Sequence, residues 1–188
     1  MPINNLGLLL SGESDKLALT ELARKYNPSA SFKTLTTNGP LRKKVVRHLK
    51  IFAADGRNYD LILVVEDSDG GDLHAKRQRL IDEVGSRTFP FPICFIIIKQ
   101  ELETWLLSDE IALSKVSVAQ GGVAITRING TLEDIQDPKN LLIRTLLGAG
   151  VPAYTPQTAG KIAEQTRTDT LLYRCPRYKE FEQAVKDC

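Results

Sequence analysis

Cysteine is scarce in this chain of 188 residues: there are three, Cys94, Cys175 and Cys188, set far apart. An odd, dispersed set suggests neither a disulfide framework nor a zinc site. Long apolar runs are missing too. None approaches the roughly 18 residues that cross a bilayer, so no membrane partner is expected. The start, Met1-Pro2-Ile3-Asn4-Asn5, has neither the basic segment nor the small-residue cleavage site of a secretion signal, and a cytoplasmic location is expected. The chain also lacks G-x-x-x-x-G-K-[ST], G-x-G-x-x-G after its first strand, and G-x-S-x-G. Those absences argue against a nucleotide P-loop, a dinucleotide fingerprint and an acyl-hydrolase elbow. ATP, if used at all, would come from a partner protein.

An excess of either charge is lacking as well, with 25 Lys+Arg against 23 Asp+Glu and a formal net charge of +2. The total conceals a pattern. Residues 1–60 hold ten basic and five acidic side chains, residues 61–110 five and ten, and residues 111–188 ten and eight. An acidic middle between basic flanks is what has to be explained.

What is present is an alternation of apolar runs and helical stripes. Leu6-Gly7-Leu8-Leu9-Leu10 reads as a buried strand closed by Ser11-Gly12. Asp15 to Tyr26 places Leu17, Leu19, Leu22 and Ala23 on one helical side, and Asn27-Pro28 ends it. Phe32 to Leu35 is a weaker strand, nearer an edge. Pro40 opens a helix striped by Leu41, Val45, Leu49 and Phe52. Leu61-Ile62-Leu63-Val64-Val65 has no alternation, which suits the centre of a parallel sheet covered on both faces. A polar helix through Leu80, Ile81 and Val84 follows, then the strand Ile93 to Ile98. The order β-α-β-α-β-α-β predicts a parallel α/β sheet with right-handed crossovers. From Glu101 the pattern turns helical: around Trp105, over Asp109 to Val116, Lys139 to Leu147, Thr158 to Gln165, and after Pro176. Residues 121–138 look irregular. A core over 1–100 and a helical extension over 101–188 are expected to form one unit.

In open parallel sheets, ligands bind beyond the carboxyl ends of the strands. Eight carboxylates would crowd that rim: Glu13, Asp15, Glu66, Asp67, Asp69, Asp72, Glu101 and Glu103. Like charges that close raise one another's pKa values unless a cation intervenes. Mg²⁺, or Mn²⁺, answers with a preference for carboxylate oxygen. Two residues apart on an extended strand end, Asp67 and Asp69 would point the same way, toward one ion. Gly70-Gly71 would admit a phosphate or a backbone. The competing reading is solvated loop acids and helix caps, with Asp72 capping the next helix.

These segments also carry a resemblance. Leu8 to Lys16, read Leu-Leu-Leu-Ser-Gly-Glu-Ser-Asp-Lys, resembles the glutamate-glycine motif of Toprim domains, and Leu63 to Asp69 resembles their DxD motif. Toprim is the metal-dependent catalytic domain of topoisomerases, primases and overcoming-lysogenization-defect (OLD) family nucleases. Glu101-Leu102-Glu103-Thr104-Trp105-Leu106-Leu107, Asp137-Pro138-Lys139-Asn140 and Cys175 to Phe181 are similar to a small stand-alone Toprim-like family of unknown function, the type of domain of unknown function 4276. Its members are often encoded beside ATPases related to prokaryotic (phage) defence. The resemblance implies a Toprim-like, Rossmann-like parallel sheet of about four strands flanked by helices, with a C-terminal helical extension.

The resemblance further implies metal-dependent phosphodiester hydrolysis, with an ATPase as a candidate partner. Asp15, Asp67, Asp69 and Glu103 would hold metal, Glu13 would assist, Glu101 is an alternative to Glu103, and Lys99 would stabilise charge on phosphate. One position departs from the pattern: Ser11 stands where Toprim domains carry the glutamate before the glycine. A catalytically degenerate module that binds an ATPase or nucleic acid without cleavage therefore stays open. Separately, Arg42, Lys43, Lys44 and Arg47 lie on the polar side of the helix after Pro40, where they would bind nucleic-acid phosphates. An ordinary amphipathic surface helix would look the same.

Overall fold

The computed structural model describes residues 3–187. Its centre is a sheet of four parallel strands, β1 (Asn5–Leu10), β2 (Ser31–Thr36), β3 (Leu61–Asp67) and β4 (Ile93–Ile98), in the order β2-β1-β3-β4. The register sets Leu10 opposite Val65, and Asp67 opposite Ile98. The expected α/β architecture is therefore present, with β3 inside and the weaker β2 at an edge.

Each crossover is a helix: α1 (Ser14–Arg24), α2 (Leu41–Ala54) and α3 (Leu73–Val84). Strand alternation separates the core into two layers. Leu9, Ile62 and Val64 pack with Leu41, Val45, Leu49 and Phe52 of α2 and with Leu80 and Val84 of α3. Gly7 matters on this face, because a Cβ there would stand 2.2 Å from Ile62 Cδ1 and 3.0 Å from Phe52 Cε1.

The other face carries Leu6, Leu8, Leu10, Leu63 and Val65, and α1 covers only part of it. The rest is covered by α4 (Glu103–Leu106), α5 (Glu110–Ala119), α6 (Pro138–Gly148), α7 (Pro156–Gln165), α8 (Thr168–Arg174) and α9 (Tyr178–Asp187). Trp105 meets Tyr178 edge-on at 4.8 Å between ring centroids, with Phe181 at 5.5 Å. α7 lies along α1, where a Cβ on Gly160 would sit 3.0 Å from Leu17 Cβ.

Two details depart from expectation. The buried stripe of α1 is Ala18, Leu19, Leu22 and Ala23, and Leu17 lies at its flank, 39% exposed despite the close approach of Gly160 of α7. α8 was not anticipated: its first turn is Thr168-Asp169-Thr170, and Leu171 is its one fully buried residue. Among the described residues no helix is long and apolar enough to cross a membrane.

Candidate functional site

The strand order places a topological switch point between β1 and β3, because the chain leaves β1 sideways to β2 and comes back past it to β3. Crevices at such points are where open α/β sheets take their ligands. β1 ends at Leu10, so Ser11 and Gly12 lead into the first turn of α1, which carries Asp15. Asp67 is the last residue of β3 and continues the side of Leu61, Leu63 and Val65, toward the helical layer.

Asp67 is the middle of an acidic cluster. Burial pushes its carboxyl well above the usual range, and the charges of Asp15, Glu103, Asp69 and Glu101 push it further. Burial also raises Asp15, with Glu103 adding to the effect; the Ser14 hydroxyl, 2.8 Å from Asp15 Oδ1, and the Lys139 ammonium oppose it. The five acids therefore come from the ends of three different strands and the chain that follows each.

Glu103 opens α4 and is 2% exposed. A carboxylate so enclosed needs compensation, and it receives two contacts. The Lys139 ammonium lies 3.5 Å from Oε1, and the Tyr154 hydroxyl donates to the same oxygen at 3.1 Å. Burial lowers the pKa of Lys139, but Glu103, Glu101 and Asp15 outweigh that and raise it, so the ammonium is held charged. Glu101 accepts the backbone N–H of Lys139 at 3.1 Å. That amide belongs to the first turn of α6, where Pro138 starts the helix and Asp137 caps it through Asn140 N–H at 2.9 Å. The positive end of the helix thus faces acid. Burial, then Glu103, Asp15 and Asp67, push the Tyr154 phenol far upward, so it remains a donor.

Other expected residues lie elsewhere. Asp69 does not follow Asp67 as a strand neighbour would: β3 stops at Asp67 and Asp69 turns at φ +49°, exposed and paired with Lys76 at 3.1 Å. Its amide is tied to Gln100 O at 2.9 Å, which fixes the turn. The shared direction drawn from strand alternation is thereby corrected, although the charge of Asp69 still reaches Asp67. Glu13 leans toward β2, accepting from the Thr36 hydroxyl with Lys16 at 3.9 Å. Lys99 pairs with Asp134 at 2.6 Å and lines a cleft of about 430 Å³ with Arg77, Gln100 and Arg177. Glu66 lies on the opposite side of β3, raised by burial. Asp72 caps α3 by accepting from Ala75 N–H at 2.6 Å. On α2, Arg42 pairs with Glu83 at 3.7 Å and Lys44 donates to the carbonyls of Thr37 and Asn38. Lys43 and Arg47 are the exposed remainder of that basic group.

The donors around Asp67 are all hard oxygens, the set that suits Mg²⁺ or Mn²⁺. As placed, no three His, Cys, Asp or Glu side chains among the described residues stand in a group that could hold an ion, and Lys139 is the cation beside Glu103. Sequence reasoning gave no role to Lys139 or Tyr154. Lys139 had a usable signal in Pro138 at a helix start; Tyr154 had none, being one aromatic in a loop.

No family model matches the chain, and no curated protein matches it. Among solved structures, the C-terminal region of the Xanthomonas campestris pv. campestris OLD protein is similar, with a TM-score of 0.51, 14% identity, and coverage of 97% of this chain and 94% of that one. The two share a fold. A second structure of the same region gives a TM-score of 0.49 and 13% identity. The resemblance to OLD proteins expected from the strand-end motifs therefore holds at the level of backbone architecture.

Proposed function

We propose that this chain is a Toprim-like, Mg²⁺- or Mn²⁺-dependent phosphodiester hydrolase of nucleic acid, or the nuclease-like subunit of a prokaryotic defence system that works with an ATPase. The observation that carries the reading is that Asp15, Asp67 and Glu103 lie near enough at the β1/β3 switch point for their charges to act on one another, with Lys139 as the cation beside Glu103. To hold the cation, Asp15, Asp67 and Glu103 would have to draw closer together than they stand in this structure, with Asp69 at the exposed rim.

Once bound, such an ion supplies an activated water and stabilises the departing oxygen. The protein's own side chains do the rest. Asp67, whose charge is disfavoured by burial and by the neighbouring acids, would be eased by positive charge brought beside it. Lys139, with its side chain 45% exposed, can swing from Glu103 toward an anionic substrate. Lys99, on release from Asp134, and the exposed Lys43 and Arg47 would meet phosphates at lower energy cost than buried groups, since surface ion pairs are weak.

A second reading, an interaction module without cleavage, is favoured by Ser11 at the end of β1, where a hydroxyl replaces the carboxylate that Toprim domains carry. One experiment separates the two. Purified protein is incubated with plasmid, single-stranded DNA and RNA in Mg²⁺ or Mn²⁺. The hydrolase reading expects cleavage by wild type and none by Asp67→Ala. Absence of wild-type cleavage, or equal cleavage by Asp67→Ala, rejects it. Cleavage gained only on Ser11→Glu supports the degenerate module.

A further inference from the structure

The irregular segment that follows α5 is tied down on one side and open on the other. Val123 N–H donates to Ala149 O at 2.8 Å, Ile125 N–H to the Ser114 hydroxyl at 2.8 Å, and Ile128 N–H to Glu110 at 3.0 Å. Arg174, the last residue of α8, adds another anchor. Its guanidinium donates to Ile128 O at 2.6 Å and Ser108 O at 3.2 Å, and pairs with Glu110. Fixed at those points, the segment leaves Thr126, Arg127 and Asn129 exposed.

Two depressions flank it and share Arg127, Ile128 and Asn129 as a common wall. One, of about 450 Å³, runs along α6 at Arg144 and Thr145. The other, of about 390 Å³, reaches Tyr173 and Arg174 at the end of α8, and then Pro176. Among the described residues no acidic side chain lines either, so the exposed Arg127 and Arg144 give the groove a positive wall. Tyr173 is 85% exposed, with its ring presented to solvent rather than to the core. The groove also adjoins the strand ends: Pro176 lines it, and the next residue, Arg177, lines the cleft that holds Lys99, Gly70 and Gly71.

An aromatic face beside arginines in a groove without acids suits single-stranded nucleic acid, whose phosphates follow the cations while a base stacks on the ring. A duplex keeps its bases stacked on one another and offers the ring none. The helix α2 offers phosphate contacts alone, because its one aromatic, Phe52, is buried. The ordinary alternative is a solvated loop beside a lone surface tyrosine.

We propose that the groove of Arg127, Arg144 and Tyr173 binds single-stranded nucleic acid, with phosphates at the two arginines and a base stacked on Tyr173. The proposal rests on the nucleic-acid part of the reading above, names the form of the substrate, and needs neither metal nor cleavage.

The test is fluorescence anisotropy of labelled oligothymidylate, and of its duplex with oligoadenylate, against the full chain in EDTA at several salt concentrations. Wild type is expected to bind the single strand about 10-fold more tightly than the duplex, the effect of one stacked base. Tyr173→Ala is expected to weaken single-strand binding about 10-fold and erase that preference, with an unchanged circular dichroism spectrum. Tyr173→Phe keeps the ring and is expected to keep the affinity. Arg127→Gln and Arg144→Gln are each expected to lower the salt slope by about 0.7. Four results overturn the proposal: no binding by wild type, duplex bound as tightly as single strand, unchanged affinity in Tyr173→Ala, or a loss confined to Lys43→Ala and Arg47→Ala on α2. Cleavage assays keep the two ideas apart. Binding in EDTA without cleavage in Mg²⁺ or Mn²⁺ removes the hydrolase reading and leaves the groove. Cleavage that needs Asp67, with binding indifferent to Tyr173→Ala, removes the groove alone.

Discussion

Asp67 follows Val65 on the inner side of β3 and meets burial and four neighbouring acids, all of which disfavour its charge. A carboxyl whose pKa is raised on folding binds more protons in the native than in the unfolded state above the ordinary carboxylate range. Its contribution to stability is complete below that range and is lost as pH rises through the shifted value. Asp67→Asn removes the charge and keeps the shape. In EDTA at pH 8 the variant is expected to be more stable than wild type, because it carries no buried charge. The gap should close as the pH falls toward the ordinary carboxylate range. Urea titration at a series of pH values measures it, and a variant less stable at pH 8 would contradict it. At this scale the sequence was only partly legible. A DxD after an apolar run exposes Asp67, yet the left-handed turn at Asp69 depends on the Gln100 carbonyl of another strand end. Lys139 and Tyr154 reach the site from more than seventy residues beyond Asp67, and no local spacing announces that.

The elements were more legible, because strands and stripes are local. The expected order from β1 to β4 is the observed order, and the continuous apolar run of β3 matched a strand with neighbours on both edges. The irregular stretch after α5 is a different case. Its conformation is set by contacts with other elements: Gly122 N–H bonds back to Ser117 O, and Val123 N–H to Ala149 O at 2.8 Å. A Cβ on Gly122 would stand 2.2 Å from the Ala149 carbonyl oxygen and 2.5 Å from Ser117 Oγ. The first of these is backbone at the end of α6, which cannot move without shifting the helix whose other end holds Lys139. Gly122→Ala is therefore expected to cost about 2–3 kcal/mol, as overpacking and a broken tie combine. A fall in the thermal midpoint of several degrees would register it. A similar change at Gly130, where no atom lies within 4 Å of the added Cβ, meets no neighbour and is limited to the strain of its positive φ.

Across the whole molecule, the two faces of the sheet are covered by different parts of the chain. α2 and α3 suffice for one, whereas the other depends on α1 together with the helices that follow β4. A fragment of residues 1–100 would leave much of the face bearing Leu6, Leu8, Leu10, Leu63, Val65, Ile96 and Ile98 open to water. An apolar area of that size is incompatible with a stable monomer. The fragment is expected to aggregate or to bind the dye ANS, with poor dispersion in its NMR spectrum; a well-dispersed monomer would show that the sheet folds alone. The near-neutral total charge, which looked uninformative, divides in the fold into an acidic rim at the strand ends and an exposed basic group on α2.

The helical layer does more than keep water off the sheet, since Glu103, Lys139 and Tyr154 all belong to it while Asp15 and Asp67 do not. During synthesis the ribosome releases Asp15 and Asp67 first and Tyr154 some ninety residues after Asp67. A nascent chain thus carries Asp15 and Asp67 before the side chains that surround them in the fold. The full cluster assembles only once the later helices have docked, and damage to those helices would dismantle it without touching the strands that bear Asp15 and Asp67.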